Sequence, residues 1–416
     1  MSVSEATDAI LRDVARLDAE SIPLRAALGR VLAEDVQSPL ALPPWENASM
    51  DGYAVRSDDV RHASSTDPVS LKVVGTIAAG ASSTRILGAG EAMRIMTGAP
   101  VPSGADSVVR VEDTDAGEST VRILGNRDAL RNIRPRGEDL TKGDVAVAEG
   151  EELHPGHIGL LASVGRSEVS VYRRARVAVL ASGDELVDVD RFDEVLSGGG
   201  AKIVTSNSYS LEAAVRQAGA EPVSLGFVGD DPVALRDRLG GCDCDLLLTT
   251  GGVSVGEFDY TRSVLAELGA THRFWRVRIR PGAPLGFGLL RGTPWLGLPG
   301  NPVSTLVTFE LFARPAIRKL QGHSLLFRRL VTVRLTEAVT IAAPLTHFLR
   351  ADVQPLGNDL TAKLTGPQGS GLLSSMARAN ALLVIPPERT RIEAGEFVDA
   401  LVLRDDMQHS ATPTVS

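Results

Sequence analysis

The stretch LLLTTGGVSVGEFDYT, residues 246–261, joins a short apolar run to a loop rich in glycine and carboxylates. The run 246–248 is too short for a helix and is bounded by turn residues, which is typical of a buried strand. After the loop, apolar residues recur at helical spacing from Tyr260 to Leu268, and Gly269 ends the pattern. A strand, a glycine-rich turn and a helix form half of a βαβ unit, in which ligands bind at the carboxyl end of the strand.

Residues 176–320 repeat this alternation of strand and helix. RVAVLAS (176–182) and EPVSLGFV (221–228) are predicted to be strands. Apolar residues of SYSLEAAVRQAG (208–219) recur at helical spacing and end at a glycine, and VALRDRLG (233–240) is also predicted to be a helix. Strands that alternate with helices predict a largely parallel sheet covered by helices.

The flanking segments have a different pattern. Residues 4–42 are predicted to be helical up to a cluster of prolines, and GEELHPGHIGLLASVG (150–165) returns to helix. Short β-like runs separated by turn residues fill 51–147 and 330–403, which predicts small β domains. The predicted bounds are an N-terminal helical and linker region (1–42 and 140–175), a small β domain (43–139), the α/β domain (176–324), a C-terminal β-barrel-like domain (325–404) and a disordered tail (405–416).

Composition argues against several classes of function. The chain has 416 residues, 43% hydrophobic and 23% charged, as in ordinary soluble globular proteins. Its net charge of −9 argues against non-specific nucleic-acid binding. No basic leader marks a signal peptide and no apolar stretch approaches the roughly 18 residues of a membrane span, so no membrane insertion is expected. The two cysteines, Cys242 and Cys244, cannot supply four zinc ligands, and a reduced, cytoplasmic setting is the default expectation.

The strand 246–248 is flanked by residues that suit anions and cations. Backbone N–H groups at a glycine-rich turn before a helix attract anions, because the peptide dipoles point there. Carboxylates at the same place would repel a phosphate unless they hold a cation such as Mg²⁺, which takes oxygen ligands. Asp259 has a second interpretation, as the cap of the following helix. The flanking residues are Asp245, Gly251, Gly252, Ser254, Glu257 and Asp259.

Two further turns and a basic strand lie in the same domain. ASGDELV (181–187) supplies Asp184 and Glu185 after a strand, so two acidic clusters face one cleft if the two strands are neighbours. In GLPGNPVS, Asn301 and Pro302 suit the N-cap and first position of a helix, which is a sufficient structural account of that turn. In FWRVRIRPGAP, three arginines alternate with apolar residues and form either a solvated strand face or the place of a phosphate-bearing substrate.

Together with motifs of the β domain, these stretches resemble the molybdopterin molybdenumtransferase family, the bacterial MoeA type that also forms the E domain of gephyrin. The resemblance covers nearly the whole chain, and the fixed order of its motifs makes it specific. They are MDGYAVR, RIMTGAPVPSGAD, RGEDLTKGD, SGDEL, SNSYSL, TTGGVSVGEFDY and GLPGNPVS. Proteins that share the α/β domain alone, such as the separate molybdopterin adenylyltransferases, would lack the first motif and the flanking β domains.

The resemblance implies a fold, a reaction and partners. The fold is an α/β multidomain chain with a central MogA-like, three-layer molybdopterin-binding domain, small β domains and a helical and extended dimerisation segment. Members insert molybdenum from molybdate into adenylylated molybdopterin and release AMP, with a divalent cation such as Mg²⁺. The implied partners are a second copy of the chain, a molybdopterin adenylyltransferase, and molybdoenzymes or cofactor-carrier proteins. In the family's homodimer, the cleft joins the α/β domain of one subunit to the small β domain of the other.

The same resemblance implies roles for individual residues. Catalytic roles fall on Asp51, Thr97, Asp139, Glu185, Asp245 and Asp259, of which Glu185, Asp245 and Asp259 are also the implied metal ligands. Substrate-binding roles fall on Ser206, Asn207, Gly251, Gly252, Ser254, Arg280, Pro284, Pro299, Gly300, Asn301, Pro302 and Ser304. Arg350 and Ser370 match a molybdate-binding pair through a looser local motif.

The chain departs from the family pattern at two positions, and two other functions stay open. The family often reads KPGKP where this chain has RPGAP, so Ala283 replaces a lysine near the expected oxyanion, and Thr205 replaces an aspartate. Without the lysine ammonium, the affinity for molybdate stays an open question. The loss also fits a gephyrin-like scaffold protein that has weak or no catalysis and binds a membrane or cytoskeletal partner. A pterin-nucleotide pyrophosphatase related through the α/β domain alone is disfavoured by the full set of motifs.

Overall fold

The computed structural model describes residues 1–198, 200–251, 260–341, 344–357 and 359–404. The predicted disordered tail, 405–416, lies outside these residues. The chain divides into two compact units: a smaller one of Glu34–Glu149 and His154–Glu168, and a larger one of Met1–Ala33, Gly150–Leu153 and the described residues from Val169 onward. Residues 140–149 thus belong to the smaller unit, whereas the predicted boundary lies at residue 139. None of the helices in the described residues has the length and apolar character needed to cross a membrane.

The larger unit contains a six-stranded sheet. The first four strands in spatial order run parallel to one another. The fifth strand is antiparallel to the fourth, and the sixth is antiparallel to the fifth. In spatial order the strands are Glu221–Val228, Arg176–Ser182, Leu246–Thr250, Thr293–Leu298, Pro284–Leu290 and Ala270–Arg276. The helices of this region are Ser206–Gln217, Pro232–Gly240, Tyr260–Glu267, Pro302–Thr308 and Arg314–Leu320, with a π-helical segment, Phe309–Ala313, between the last two.

Alternate residues of the central strand enter different cores. Leu246 and Leu248 lie in the hydrophobic cluster that includes the helix Ser206–Gln217. Leu247 lies in a second cluster with the helix Tyr260–Glu267. All three leucines are fully buried. Because side chains alternate between the faces of a strand, helices must cover both faces of the sheet, which gives three layers.

The N-terminal segment corrects the prediction of helix up to residue 42. The helix spans only Val3–Arg12, with a capping box at its start. Ala19–Pro23 is a strand that pairs with Glu168–Tyr172. Pro23 lacks the N–H that a helix interior needs, and Gly29 has a left-handed φ of 72°, so the helical pattern cannot continue through them.

The C-terminal part of the larger unit is a closed β-barrel. The ring closes because Thr346–Leu356 pairs with both Asp359–Leu364 and Ala381–Ile385. The short strand Ile279–Arg280 of the α/β region pairs in parallel with the start of Thr346–Leu356. In ring order the strands are Thr346–Leu356, Asp359–Leu364, Leu330–Leu335, Phe397–Val402 and Ala381–Ile385.

The smaller unit holds a five-stranded mixed sheet. Tyr53 and Val55 enter one hydrophobic cluster and Ala54 enters another, so both faces of the sheet are buried. In spatial order the strands are Ser107–Arg110, Gly52–Val55, Glu91–Ile95, Val69–Ile77 and Thr120–Ile123, of which Glu91–Ile95 and Val69–Ile77 run parallel. Shorter elements of this unit are Val36–Gln37 with Val145–Val147, Asn47–Ala48 with Ile133–Arg134, and the helices Ser57–Val60, Val111–Asp113 and Pro155–Ser163.

Further short elements lie in the larger unit. They are the strand pairs Leu186–Val187 with Ile203–Val204 and Val339–Thr340 with Arg391–Ile392, and the helices Leu24–Ala26, Val189–Arg191, Phe192–Leu196 and Leu373–Arg378.

Candidate active site

The carboxyl ends of three neighbouring parallel strands form a cleft in the larger unit. Arg176–Ser182, Leu246–Thr250 and Thr293–Leu298 end at one edge, since Ala181 pairs with Thr250, which in turn pairs with the last residue of the third strand. The cleft has a volume of about 440 Å³ and lies where α/β proteins bind their ligands. The predicted site residues that line it are Glu185, Ser206, Asn207, Gly251, Pro284, Pro299, Gly300, Asn301 and Pro302.

Gly251 lets two of the turns approach each other closely. Its φ of 84° is left-handed, and a Cβ atom there would lie 2.3 Å from the carbonyl oxygen of Ser182. A Cβ atom at Gly300 would lie 3.6 Å from the Cα atom of Gly251, so the turns after neighbouring strands are in contact. A side chain at Gly251 would force these turns apart, and the wall of the cleft is therefore bare backbone at this point.

Asn207 connects two walls of the cleft through its amide group. Nδ2 donates to the carbonyl oxygen of Gly300 at 2.8 Å and to Oγ1 of Thr250 at 3.0 Å. Because a carbonyl oxygen can only accept, the first of these bonds fixes which end of the amide is nitrogen. In the described part of the chain, Asn207 Oδ1 and Ser182 Oγ are buried without a hydrogen-bond partner. Both residues line the cleft, so donors on a bound ligand would satisfy them.

Acidic side chains follow the first two strands of the sheet. Glu185 lines the cleft, and its neighbour Asp184 accepts a hydrogen bond from the backbone N–H of Asp230 at 2.9 Å. Burial raises the pKa of Asp230, and the charges of Asp184 and Glu185 raise it further. A carboxylate placed beside other carboxylates favours a bound cation, which makes Asp230 a candidate metal ligand. No motif marked Asp230, although it follows the strand Glu221–Val228 as Glu185 follows its own strand.

These acids do not form a complete metal site by themselves. Nowhere in the described residues do three or more His, Cys, Asp or Glu side chains form a group that could hold a metal ion. Gly252, Ser254 and Asp259 fall within 252–259, outside the described residues. The cap and metal-ligand interpretations of Asp259 therefore both stay predictions.

Asp245 lies at the wrong end of its strand to share a metal ion with Glu185. It precedes Leu246–Thr250, whereas the cleft is at the carboxyl end, and five strand residues separate the two ends by about 16 Å. Its carboxylate pairs with the Arg173 guanidinium at 2.5 and 2.7 Å and accepts from the Arg176 N–H at 2.8 Å. Burial raises the pKa of Asp245, but these hydrogen bonds outweigh burial and the pKa is lowered. The structure therefore does not place Asp245 in the cleft beside Glu185, and its carboxylate instead stabilises the fold through these contacts.

Two predicted residues of the third turn have structural surroundings. Ser304 is buried in the helix Pro302–Thr308 and does not line the cleft. Asn301 stands at the N-cap position, but within the described residues its side chain makes no capping hydrogen bond. The backbone N–H of Val303 instead donates to the carbonyl oxygen of Ser370 at 3.0 Å.

In the smaller unit the structure brings Asp51 and Thr97 together. Asp51 Oδ1 accepts from the backbone N–H and from Oγ1 of Thr97, both at 2.7 Å. The bonds from Thr97 lower the pKa of Asp51. The next residue, Gly52, cannot carry a side chain, because its Cβ atom would lie 1.9 Å from the carbonyl oxygen of Val109. Asp139 is exposed on the same unit.

Three family models match the chain along nearly its whole length. They are the MoeA N-terminal region (domain I and II) over residues 1–165, the probable molybdopterin binding domain over 178–319, and the MoeA C-terminal region (domain IV) over 332–403. The chain belongs to the MoeA family. The second of these matches contains the cleft, and the third contains most of the barrel.

Individual relatives of this MoeA chain are similar over the same extent. The molybdopterin molybdenumtransferase of Nostoc sp. is 38% identical over 414 residues, 97% of this chain and 93% of the relative. Molybdopterin molybdenumtransferase 2 of Mycobacterium tuberculosis is 39% identical over 383 residues, 90% of this chain and 93% of the relative. The crystal structure of the molybdopterin biosynthesis MoeA protein from Pyrococcus horikoshii OT3 has a TM-score of 0.83 at 29% identity and covers 97% of this chain and 99% of that chain. The predicted family, its α/β multidomain fold and its enzyme class are confirmed.

A second cavity of the MoeA chain, of about 410 Å³, lies between the barrel and the α/β region. Arg280 and Arg350, both predicted from the resemblance, line it. Burial lowers the pKa of Arg350. Its Nε donates to Oγ of Ser375 at 3.0 Å, and its Nη atoms donate to the carbonyl oxygens of residues 367–369 at 2.9–3.1 Å. The structure thus joins Arg350 to Ser375, whereas Ser370 does not line the cavity.

The departures from the MoeA pattern lie beside these two cavities. Thr205 lines the cleft, with Oγ1 at 2.7 Å from Oγ of Ser208. The RPGAP turn borders both cavities, since Arg280 lines the second and Pro284 lines the cleft, and Ala283 between them is half-buried. The segment FWRVRIRPGAP is not one strand, since Ala270–Arg276 and Ile279–Arg280 belong to different sheets. Its other two arginines, at 276 and 278, are exposed and line neither cavity, in agreement with the solvated-face interpretation.

Proposed function

We propose that this MoeA chain transfers molybdenum from molybdate to adenylylated molybdopterin, and so forms the molybdenum cofactor and AMP in a Mg²⁺-dependent reaction. The observation that carries the proposal is the cleft at the strand ends. Among the described residues, its lining contains two buried oxygens without protein partners, Ser182 Oγ and Asn207 Oδ1. Pterin and purine rings both bear N–H donors that suit such acceptors. The name of the relatives, molybdopterin molybdenumtransferase, supports the same reaction.

The backbone of the cleft suits the phosphate part of the substrate. Gly251 and Gly300 line the cleft and carry no side chains of their own, so a ligand can approach the backbone at these two positions. Phosphate oxygens bind well to backbone N–H groups that a ligand can approach closely. The volume of about 440 Å³ lies in the range of small-molecule sites.

Glu185 and Asp230 are the described residues that would hold Mg²⁺ in this reaction. Carboxylate oxygens are the ligands that Mg²⁺ prefers. Burial, followed by the charges of Asp184 and Glu185, raises the pKa of Asp230, and a bound cation would relieve the charge repulsion. Bound Mg²⁺ would screen the phosphate charge as the phosphoanhydride breaks. Asp259 remains the predicted further ligand, and Asp51, Thr97 and Asp139 keep the catalytic roles that the resemblance implies.

The cavity lined by Arg280 and Arg350 is the site that we propose for molybdate. Two guanidinium groups at one cavity favour an oxyanion, even in a chain of net charge −9. Arg280 and Pro284 stand at the two ends of one turn and line the two cavities, so this turn would lie between molybdate and the pterin. With alanine at 283, these two arginines supply the positive charge.

The proposed setting of the reaction follows from the family resemblance. We infer a cytoplasmic homodimer that receives its substrate from a molybdopterin adenylyltransferase. The product would pass to molybdoenzymes or to cofactor-carrier proteins, because a free dithiolene-bound metal needs a protein acceptor.

The test is a reconstitution with purified components. Protein, adenylylated molybdopterin, Mg²⁺ and molybdate should yield AMP, measured by chromatography, and cofactor that activates a cofactor-free molybdoenzyme. Glu185→Gln should abolish AMP release and keep the fold. Glu267→Gln is the matched control, since Glu267 pairs with Arg236 at the surface. A folded wild-type protein that releases no AMP would overturn the proposal and favour the scaffold interpretation.

A further inference from the structure

The two cysteines of the chain lie away from the cleft. Cys242 and Cys244 precede the strand Leu246–Thr250, whose other end borders the cleft. Their Sγ atoms are 3.1 Å apart, and both thiols are free. The side chain of Asp243 between them is 91% exposed and pairs with Arg176. Both thiols therefore lie together against the hydrophobic cluster, and the Asp243 side chain lies in solvent.

The thiols occupy a small recess in the α/β region. Both are half-buried and pack against the hydrophobic cluster that includes Leu239 and Leu247. A cavity of about 60 Å³ is lined by both cysteines together with Arg291. Since a water molecule takes roughly 30 Å³, the cavity admits a reagent of the size of hydrogen peroxide but not a tripeptide disulfide.

The two thiols differ in the way that stepwise oxidation requires. The hydrogen bond with the Cys244 thiol lowers the pKa of Cys242 against the effects of burial and of the Asp243 charge, and Arg176 also lowers it. Cys242 and burial raise the pKa of Cys244. Cys242 is therefore the thiol that ionises first, and Cys244 keeps its proton.

We propose that Cys242 and Cys244 are a peroxide-reactive dithiol that closes to an intrachain disulfide, a modification site independent of molybdenum insertion. The Cys242 thiolate attacks one oxygen of hydrogen peroxide, the O–O bond breaks and hydroxide leaves, so that Cys242 becomes a sulfenic acid. The Cys244 sulfur then attacks the Cys242 sulfur. The S–O bond breaks, and the oxygen leaves as water with the Cys244 proton. Overall, two thiols are oxidised and one peroxide is reduced to two waters.

The geometry makes the second step short. An S–S bond is about 2.05 Å long, so sulfurs at 3.1 Å need to approach by only about 1 Å. Gly240 and Gly241 precede the pair, and the positions of their missing Cβ atoms are in open space. The backbone can adjust there without displacing a neighbouring side chain.

The experiment uses the full chain and does not depend on its enzymatic activity. Reduced, desalted protein is treated with hydrogen peroxide, alkylated under denaturing conditions and analysed by intact and peptide mass spectrometry. We expect both thiols to be lost, the mass to fall by two hydrogens and one peptide to contain the Cys242–Cys244 disulfide. Dithiothreitol should restore both thiols.

Three variants separate the steps. Cys244→Ser should stop at the Cys242 sulfenic acid, which a cyclic diketone traps. Cys242→Ser should react severalfold more slowly than Cys244→Ser, because burial still raises the pKa of the remaining Cys244 thiol. Arg176→Gln should slow disulfide formation severalfold and leave its product unchanged.

Four results would overturn the proposal. They are thiols that survive peroxide, sulfinic acid on Cys242 without a disulfide, disulfides between chains in place of the intrachain bond, and faster oxidation by glutathione disulfide than by peroxide. The last result would show that the recess does not select the oxidant by size.

Discussion

Ser182 offers the sharpest test at the scale of single residues. Its Oγ is buried and, among the described residues, has no hydrogen-bond partner, so Ser182→Ala removes no bond from the folded protein. We expect an unchanged or slightly higher melting temperature. If a substrate N–H donates to this hydroxyl, the variant loses about 1 kcal/mol of binding free energy. The Kd for adenylylated molybdopterin, measured by calorimetry, should then rise about fivefold.

The matched control for Ser182 is Ser163→Ala. Ser163 Oγ donates to the carbonyl oxygen of Leu160 at 2.7 Å within its own helix and does not line the cleft. This variant should bind the substrate as the wild type does. Equal affinity of Ser182→Ala and the wild type would contradict the role of Ser182 as an acceptor for the ligand.

Asp230 gives a test of the metal site that needs no turnover. Its pKa is raised above the ordinary value of 3.8, so the folded state holds the proton more tightly than the unfolded chain. This contribution stabilises the fold at pH below 3.8 and is lost as the pH rises through the folded pKa. At pH 7 the charge of Asp230 therefore opposes folding. Asp230→Asn should raise the melting temperature at pH 7 in metal-free buffer.

With Mg²⁺ added, the wild type should have a higher melting temperature than Asp230→Asn, the reverse of the order in metal-free buffer. A ligand that binds only the folded state raises the melting temperature, so Mg²⁺ should stabilise the wild type more than Asp230→Asn. Asp245→Asn is the control for the same chemical change: it should lower the melting temperature, because it weakens the pair with Arg173, and keep the full Mg²⁺ shift. An equal Mg²⁺ shift in Asp230→Asn and the wild type would exclude Asp230 as a ligand.

At the scale of elements, strands that are marked by a local run of apolar residues can be predicted, whereas pairings between strands distant in sequence cannot. RVAVLAS and EPVSLGFV form Arg176–Ser182 and Glu221–Val228 with the expected bounds. The first of these is buried on both faces and is marked by its apolar residues alone, whereas the second lies at the edge of the sheet and is partly exposed. The barrel is different, because Thr346–Leu356 pairs with Ala381–Ile385 although a strand and a helix separate them in sequence. Neither segment carries a pattern that specifies this partner.

The residues of the candidate site that could be predicted are those whose motifs follow a strand. Glu185 and Gly251 follow predicted strands, Gly300 belongs to a predicted turn, and all three line the cleft. Asp245 comes before its strand, whereas Asp230 comes after one. The direction of each strand therefore indicates which carboxylate lies at the cleft end of the sheet, and similarity of motifs does not. The unpartnered oxygens could not be predicted, because they depend on contacts between residues distant in sequence.

The segment Gly150–Leu153 carries a pH-dependent contribution to stability. Glu152 accepts hydrogen bonds from His323 at 3.2 Å and Arg318 at 3.0 Å. The bond from His323, followed by that from Arg318, lowers the pKa of Glu152 to about 2 against the effect of burial. The stabilisation is present above the unfolded value of 4.5 and is lost as the pH falls through about 2.

Glu152→Gln should remove this contribution. Because the carboxylate is half exposed, we expect the free energy of unfolding at pH 7 to fall by only about 1 kcal/mol. Urea unfolding at pH 7 and pH 3 measures the change, and the difference between variant and wild type should be smaller at pH 3. Glu151→Gln, one residue away and exposed, is the control and should change neither value by more than about 0.5 kcal/mol. A variant difference that is the same at both pH values would contradict the assignment.

At the scale of the whole molecule, the family resemblance implies a homodimer in which Asp51 of one chain and Glu185 of the other serve one reaction. Asp51→Ala and Glu185→Ala chains should each be inactive alone. After subunit exchange, half of the dimers are mixed and one of their two sites is intact. AMP release should then return to about a quarter of the wild-type rate.

A second mixture makes this result interpretable. Glu185→Ala with Asp230→Ala should show no recovery, because both residues belong to the same unit of the chain. If the first mixture also stays inactive while exchange is verified by mass-tagged subunits, the shared site is ruled out.

The order in which the chain leaves the ribosome has a consequence for assembly. The helix Val3–Arg12 packs its Ala6 and Ile10 in one cluster with Phe309 and Ala316. These partners are translated about 300 residues later, a delay on the order of 15–60 s at bacterial and eukaryotic elongation rates. The smaller unit, complete at Glu168, has all its residues well before then. We therefore expect a nascent chain to fold the smaller unit before the larger one is complete. During that interval the helix Val3–Arg12 lacks its packing partners, and its capping box is the local stabilisation that it carries.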